Sequence, residues 1–275
     1  MSDKFNQETL NHLKKVELLV LKDFIKICDE NNLNYYLFYG TLIGAIRHHG
    51  FIPWDDDIDV VMFRDDYEKF MKIMESRNSE KYEILETRYQ NDYFLLFAKM
   101  SLKNTIFGEY WTNQVGFNLG IFVDIFVLDN VPDNKIKRFF FKKHSFLLDK
   151  LLTMSAIKLD NNYSMSVRLI SNAMHFILKK LGLTTNYFQK KANKLFRKYD
   201  DIETEYVSDL TEPSQFIVKR SHLNPPKKVK FEDIEAKVPN DYDYVLRLIY
   251  GDYMQIPPEE ERITHIIENL DFGNY

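Results

Sequence analysis

A single cysteine in 275 residues excludes an internal disulfide. Cys28 is therefore expected to be an inert, buried helix residue in a protein of a reducing compartment. Long hydrophobic runs are also missing. No apolar stretch approaches the ~20 residues that cross a bilayer, and the polar start Met1-Ser-Asp-Lys-Phe-Asn-Gln-Glu has no signal core. A soluble, cytoplasmic chain is the expectation. Glycine (9) and proline (8) are scarce, which excludes collagen-like and low-complexity chains. A net charge of −4 leaves no general basic field for a nucleic-acid backbone, so no nucleic-acid partner is expected. What the chain does have is apolar mass, 45% of residues, enough to bury a sizeable core.

Periodicity orders that mass. Glu8 to Glu30 carries Leu10, Leu13, Val16, Val20, Phe24 and Ile27 at helical spacing, and Asn31-Asn32 ends the run. Leu33 to Tyr39 reads as a short aromatic strand broken at Gly40, and Thr41 to His49 as a short helix with Thr41 as its N-cap. Gly50 and Pro53 turn the chain into a strand over Asp57 to Phe63, followed by a helix from Asp65-Asp66 to Met74. Further strands are expected over Tyr82 to Thr87, Phe94 to Ser101 and Gly120 to Leu128. From Asn134 to Tyr199 the pattern turns helical and basic, with loops near Asn161-Asn162 and Gly182 to Asn186. The composition shift at Val131-Pro132-Asp133 divides the chain into a core over 1–131, a helical insertion over 132–200, and a part over 201–275 that packs back on the core. That last part holds short strand-like pieces, a Pro225-Pro226 turn, a helix over Tyr242 to Tyr250, and a Pro257-Pro258 bend before a final helical turn. No internal repeat is present. Strands and helices arranged this way predict an α+β fold, a mixed sheet flanked by helices, with an additional mainly helical region.

Chemistry concentrates between Tyr39 and Met62. Asp55, Asp56, Asp57 and Asp59 fall within five positions, directly before the apolar run Val60-Val61-Met62-Phe63. Two carboxylates about 5 Å apart repel by about 3 kcal/mol at an effective dielectric near 20. A run leading into a buried strand cannot splay freely into water, so a cation is needed. Asp57 and Asp59 lie on one face of a strand, and Asp124 sits in the equally apolar Gly120-Ile-Phe-Val-Asp-Ile-Phe-Val-Leu-Asp129. An unpaired buried aspartate costs several kcal/mol, and a metal shared by all three resolves both difficulties. Oxygen-only ligands favour Mg²⁺ or Mn²⁺. Zinc is disfavoured because the histidines and the lone cysteine show no ligand spacing. An EF-hand starting at Asp55 fails, with Val60 at its sixth position and Asp66 at its twelfth. Neither a Walker A sequence nor a Gly-x-Gly-x-x-Gly fingerprint occurs. A metal among carboxylates suits phosphoryl transfer, neutralising phosphate charge while a carboxylate helps deprotonate an attacking hydroxyl.

The stretch Tyr39-Gly-Thr-Leu-Ile-Gly-Ala-Ile-Arg-His-His-Gly-Phe-Ile-Pro-Trp-Asp-Asp-Asp-Ile-Asp59, followed by Arg64-Asp-Asp-Tyr-Glu-Lys-Phe70, resembles the LicD family of phosphocholine transferases. Phe97-Ala-Lys-Met100, the Asp124 block, and Tyr250-Gly-Asp-Tyr-Met254 with Pro257-Pro258 and His265 fit the same family. The resemblance implies a nucleotidyltransferase-like fold in which Gly40-Thr41 is the phosphate-side turn. Asp57 and Asp59 would be the metal pair and Asp124 the third acid, the three serving as metal ligands and catalytic residues. Thr41 departs from the usual serine or glycine. The implied reaction moves phosphocholine, or a related phospho-alcohol, from a CDP-activated donor such as CDP-choline to a hydroxyl of a surface glycan, releasing CMP.

Substrate-binding residues are expected among Gly40, Thr41, Arg47, Trp54, Asp56, Lys99 and His265. Arg47 and Lys99 would hold diphosphate oxygens. Trp54, Tyr39 or Tyr110 would offer a π-face to a quaternary ammonium, against a plain packing role for each. Asp55 and Asp56 have turn formation as their alternative, and His265 a structural role. The basic, aromatic segment Lys135-Ile-Lys-Arg-Phe-Phe-Phe-Lys-Lys-His144 is expected either to meet a lipid-linked glycan acceptor or anionic membrane surface peripherally, or to cover its own domain. Two other functions fit an Asp-x-Asp: a metal-dependent glycosyltransferase using a sugar nucleotide, and a catalytically inactive scaffold of the same fold.

Overall fold

The computed structural model describes residues 6–90, 93–116, 119–161, 163–211, 216–262 and 267–275. Helix α1 (Gln7–Glu30) opens the chain, with Asn6 capping its N-terminus through the Thr9 amide. Its 3.6-residue stripe, Leu13, Val16, Val20, Phe24 and Ile27, is buried, and Cys28 is buried beside it. Strand β1 (Tyr36–Leu37), helix α2 (Tyr39–Ile43), strand β2 (Asp59–Phe63) and helix α3 (Arg64–Arg77) follow. Next come β3 (Tyr82–Leu85), β4 (Ala98–Leu102), β5 (Ile106–Glu109), α4 (Thr112–Val115) and the long β6 (Phe122–Val131). Three helices, α5 (Lys135–Ala156), α6 (Met165–Lys180) and α7 (Thr185–Phe196), then lead to β7 (Tyr206–Asp209), β8 (Val218–Lys219) and α8 (Arg220–Leu223). The hairpin β9 (Lys227–Phe231) and β10 (Ile234–Val238), helix α9 (Tyr242–Tyr250) and strand β11 (Ile267–Asp271) complete the chain.

Strands β1, β2, β6, β4 and β3 lie side by side in one seven-stranded mixed sheet, and the later part of β6 continues through β7 to β8. Among the described residues, only the β2–β6 pair within it is parallel. This is the α+β architecture expected, a mixed sheet flanked by helices. Alternation sends Val60 and Met62 into the main core with α1 and α3, and Val61 and Phe63 into a second cluster with Tyr36, Phe38, Phe126 and Phe216. Because β6 is buried on both faces, it reads as a continuous apolar run interrupted at Asp124 and Asp129. Asp129 takes a two-pronged hydrogen bond from Arg64, at 2.8 Å on each oxygen. Glu68 on α3 receives Arg64, Arg88 and Arg197, tying the sheet to the end of the helical region.

Several local expectations need correction. Thr41 does not cap a helix: α2 begins two residues earlier, its N-cap Phe38 makes no side-chain bond, and the Thr41 hydroxyl accepts from the Asp59 amide at 2.8 Å instead. Gly40 lies inside α2 and does not end a strand, since the backbone reverses at Tyr39 with φ +47°. β5 and β11, which pair antiparallel, were not expected; the segment after the Pro257-Pro258 bend gives a single 3₁₀ turn at Glu259–Glu261 and then a strand.

Candidate active site

The acidic loop is held from three sides. Lys14 on α1 donates to the Ile52 and Pro53 carbonyls at 2.8 and 2.9 Å. Glu232, in the β9–β10 turn, accepts from the Phe51 amide at 3.0 Å, and its own amide donates to the His49 carbonyl. Gly44 permits the third approach, because a Cβ there would lie 2.4 Å from the Gly50 carbonyl. Gly40 serves the carboxylates directly: a Cβ would stand 2.8 Å from Asp55 Oδ2. Gly44 thus brings two backbone segments closer than a side chain would allow, and at Gly40 an added side chain would displace the Asp55 carboxylate.

Strand register supplies the rest. Asp59 pairs with Asp124 across β2–β6, and Asp124 pairs with Lys99 across β6–β4. Directly opposed residues project to the same side of a sheet, so the three form a row over three adjacent strands. Carboxylate oxygens of Asp57, Asp59 and Asp124 lie within 4.8 Å of one another, and so do those of Asp55, Asp56 and Asp57. Asp57 belongs to both groups. These acids, with Tyr39, Gly40 and Lys99, line a cleft of about 520 Å³ whose other wall is Leu95, Phe97, Glu109, Trp111, Phe126 and Tyr250.

The electrostatics are dominated by burial. Asp124 is pushed up to about 6, first by desolvation and further by the Asp57 charge, while the Lys99 ammonium pulls it down. Lys99 Nζ sits 2.7 and 3.0 Å from the two Asp124 oxygens and 3.5 Å above the Phe122 ring. Tyr39, on a backbone conformation that costs about 1–3 kcal/mol for a bulky residue, is fixed by its hydroxyl, which donates to buried Asp209 at 2.8 Å. Rings of Phe38, Phe126 and Phe216 surround it.

Asp57, Asp59, Asp124, Asp56, Gly40 and Lys99 all reach this cleft, and Thr41 is buried beneath it, holding Asp59 in place. Two expected residues do not line it. The Arg47 guanidinium donates to the Tyr253 and Gln255 carbonyls, at 2.6 and 3.2 Å, pinning the loop after α9. Trp54 already carries a cation of this chain, with Arg262 4.3 Å from its ring centre. His265 lies outside the described residues. Lys99 is also not poised as a separate diphosphate ligand, because its charge is engaged by Asp124. Trp111 and Glu109 were missed. Their signal was a short alternating run, Ile106-Phe-Gly-Glu109, ending at a tryptophan, and Trp111 Nε1 donates to Glu109 Oε2 at 2.9 Å. Tyr110 beside them meets Tyr163 through the two hydroxyls at 3.3 Å.

The family model described as LicD/FKTN/FKRP, nucleotidyltransferase domain, matches residues 32–161, the span that holds every acid of the cleft. A lipopolysaccharide cholinephosphotransferase, LicD, of Haemophilus influenzae is 32% identical over 266 residues, covering 94% of this chain and 97% of that protein. Shorter matches occur to uncharacterised proteins of Rickettsia typhi, 40% identical over 55 residues, and Rickettsia prowazekii, 43% over 47 residues; each covers a fifth or less of either chain. The chain is an enzyme of the phosphotransferase class. Within that class it belongs to the LicD family.

Proposed function

We propose that this enzyme transfers phosphocholine from CDP-choline, or a close CDP-alcohol, to a hydroxyl of a cell-surface glycan and releases CMP. The observation that carries the proposal is the end-to-end match to a lipopolysaccharide cholinephosphotransferase. The cleft is chemically suited to it. In the reaction the glycan oxygen bonds to the phosphorus distal to cytidine, and the anhydride P–O bond breaks with its electron pair leaving on CMP. The hydroxyl proton passes to a carboxylate.

Asp57, Asp59 and Asp124 would hold Mg²⁺ or Mn²⁺. Their fit rests on an all-oxygen donor set whose atoms lie within 4.8 Å of one another. Such an ion would neutralise charge on the donor's phosphates. The chain's own residues do the positioning. Thr41 fixes the Asp59 backbone, Lys99 orients the Asp124 carboxylate, and Gly40 leaves space against Asp55. In place of Trp54, the quaternary ammonium is assigned to the wall formed by Trp111, Phe97 and Tyr250, with the Glu109 carboxylate adding opposite charge.

The direct test is incubation with Mg²⁺, a glycan acceptor and a panel of CDP-alcohols, reading CMP and a new phosphodiester. Release of a nucleoside diphosphate with a new glycosidic bond, from a sugar nucleotide, would replace this reading with a glycosyltransferase.

A further inference from the structure

Helix α6 is built inside out. Its inward side carries Ser171, Asn172 and His175 beside only two large apolar residues, Met174 and Leu178. The Asn172 amide exchanges hydrogen bonds with the Leu159 backbone, donating at 3.1 Å and accepting at 2.9 Å, and His175 Nδ1 meets the Met154 carbonyl at 2.9 Å. Its outward side carries Met165, Leu169, Ile170, Phe176 and Ile177, with Ile170 and Phe176 65% and 67% exposed. Three polar bonds lock that orientation, so the apolar stripe cannot roll inward. The neighbouring helix α5 buries Phe141, Leu148 and Leu152 yet still turns Ile136, Phe139, Phe140, Phe146 and Leu147 outward with lysines between them. Lys143 lies over Phe139 and Lys150 over Phe146.

Charge says what covers this face. Residues 135–199 contain fifteen lysines and arginines and two aspartates, a net +13, in a chain whose total is −4; the remainder carries −17. Two copies meeting through this face would bring +13 against +13. An anionic lipid surface accepts both the rings and the lysines, whose stems lie along apolar surface while their ammonium groups stay in water. A groove between α5 and α7, lined by Ile136, Lys137, Phe140, His144 and Lys198, repeats that pairing of cations with aromatic walls.

We propose that the outward face of the α5–α6 hairpin docks this enzyme on an anionic lipid bilayer. The hairpin adjoins the region of the cleft. Gln114, next to the Trp111 wall, donates to the Lys158 carbonyl at 3.1 Å and accepts from its amide at 2.9 Å, and Lys158 lies in the α5–α6 connection.

The test is co-sedimentation of the full chain with phosphatidylglycerol–phosphatidylcholine vesicles at low salt, against phosphatidylcholine alone. Binding to the anionic vesicles only, weakening as salt rises, is expected. Ile170→Asp with Phe176→Asp should lower partitioning at least tenfold, and Lys142→Glu with Lys143→Glu by about fivefold per residue. All four residues are outward or half-exposed, so circular dichroism and Tm should stay at wild-type values. No pelleting with anionic vesicles, or equal pelleting with neutral ones, overturns the proposal. So does a concentration-dependent dimer that Ile170→Asp with Phe176→Asp dissolves, which would make this face a self-interface. The readout is binding, so its failure leaves the transferase assignment standing.

Discussion

Helix α1 buries Val20 and Phe24 and leaves Lys15 and Lys26 in solvent, whereas α6 buries Ser171 with Leu178 and leaves Ile170 and Phe176 in solvent. α1 places most of its large apolar side chains inward, and α6 places most of its own outward. The regions they belong to are also opposite in charge, −17 for the sheet-bearing part and +13 for residues 135–199. In the first, the acids at 55–57 converge with Asp59, Asp124 and Lys99 on the cleft, while other buried charges such as Asp129 are paired within the fold. In the second, polar bonds fasten α6 from inside while large apolar side chains of α5 and α6 stand outside. An anionic cleft gathers cations and a cationic face gathers anions, so the division allows catalysis and docking to be varied separately.

The sharpest way to break that division is to remove a carboxylate. Asp59→Asn and Asp124→Asn should each lower kcat by roughly a thousandfold with vesicle binding unchanged, measured as CMP release and co-sedimentation on the same preparations. If either variant also lost lipid binding, the two regions would not be independent. Next in size is Lys99→Met, which strips the cation from a buried Asp124. Losing one partner of a buried pair costs about 3–5 kcal/mol, read as a fall in Tm. Because Asp124 then loses its main charge-stabilising neighbour, its ionisation moves further up and the rate–pH profile should shift to higher pH.

Trp111→Ala sharpens the comparison from inside the cleft. It should raise KM for CDP-choline by roughly tenfold, on the scale of a desolvated cation–π contact, and change KM for CDP-ethanolamine less. Equal losses for both donors would assign the ammonium elsewhere. The smallest effect belongs to Asp209. Burial raises its carboxyl to about 6, although Thr211 and Tyr39 pull it down, so the folded protein holds the proton more tightly than the unfolded chain does. Its stabilising contribution is therefore full below the unfolded value of about 3.9 and lost as pH rises through about 6. Asp209→Asn should flatten that part of the Tm–pH curve, and identical slopes in the two proteins would discount the shift.

Much of this was legible before any coordinates. The run from Tyr39 to Met62 pointed to the acids, and the isolated aspartate of an apolar strand pointed to Asp124. The structure brings them to one place because Asp124 stands opposite Asp59. Lys99 was singled out, yet its partner was not, since pairing between β4 and β6 depends on a register no single segment encodes. Trp111 was invisible for a similar reason: β5 is stabilised by β11, far away along the chain. Trp54 was misplaced because an aromatic beside an acidic loop looks the same whether its face is open or covered by Arg262. For α6 the period was readable and its direction was not. Hydrophobic spacing defines a stripe without saying what the stripe faces, and side-chain bonds to Leu159 and Met154 decide it.

The one parallel pairing in the main sheet has a consequence for assembly. Asp59 and Asp124 both stand near the start of their strands, and a parallel pair cannot be closed by a tight turn. Helix α3 and strands β3 to β5 lie between them in sequence, so the acids at 55–57 are neighbours in the chain while Asp124 joins them only through the sheet. The complete carboxylate trio therefore exists only where the β2–β6 pair is formed, and a spectroscopic ion seated on it, such as Mn²⁺, would report that the sheet has closed.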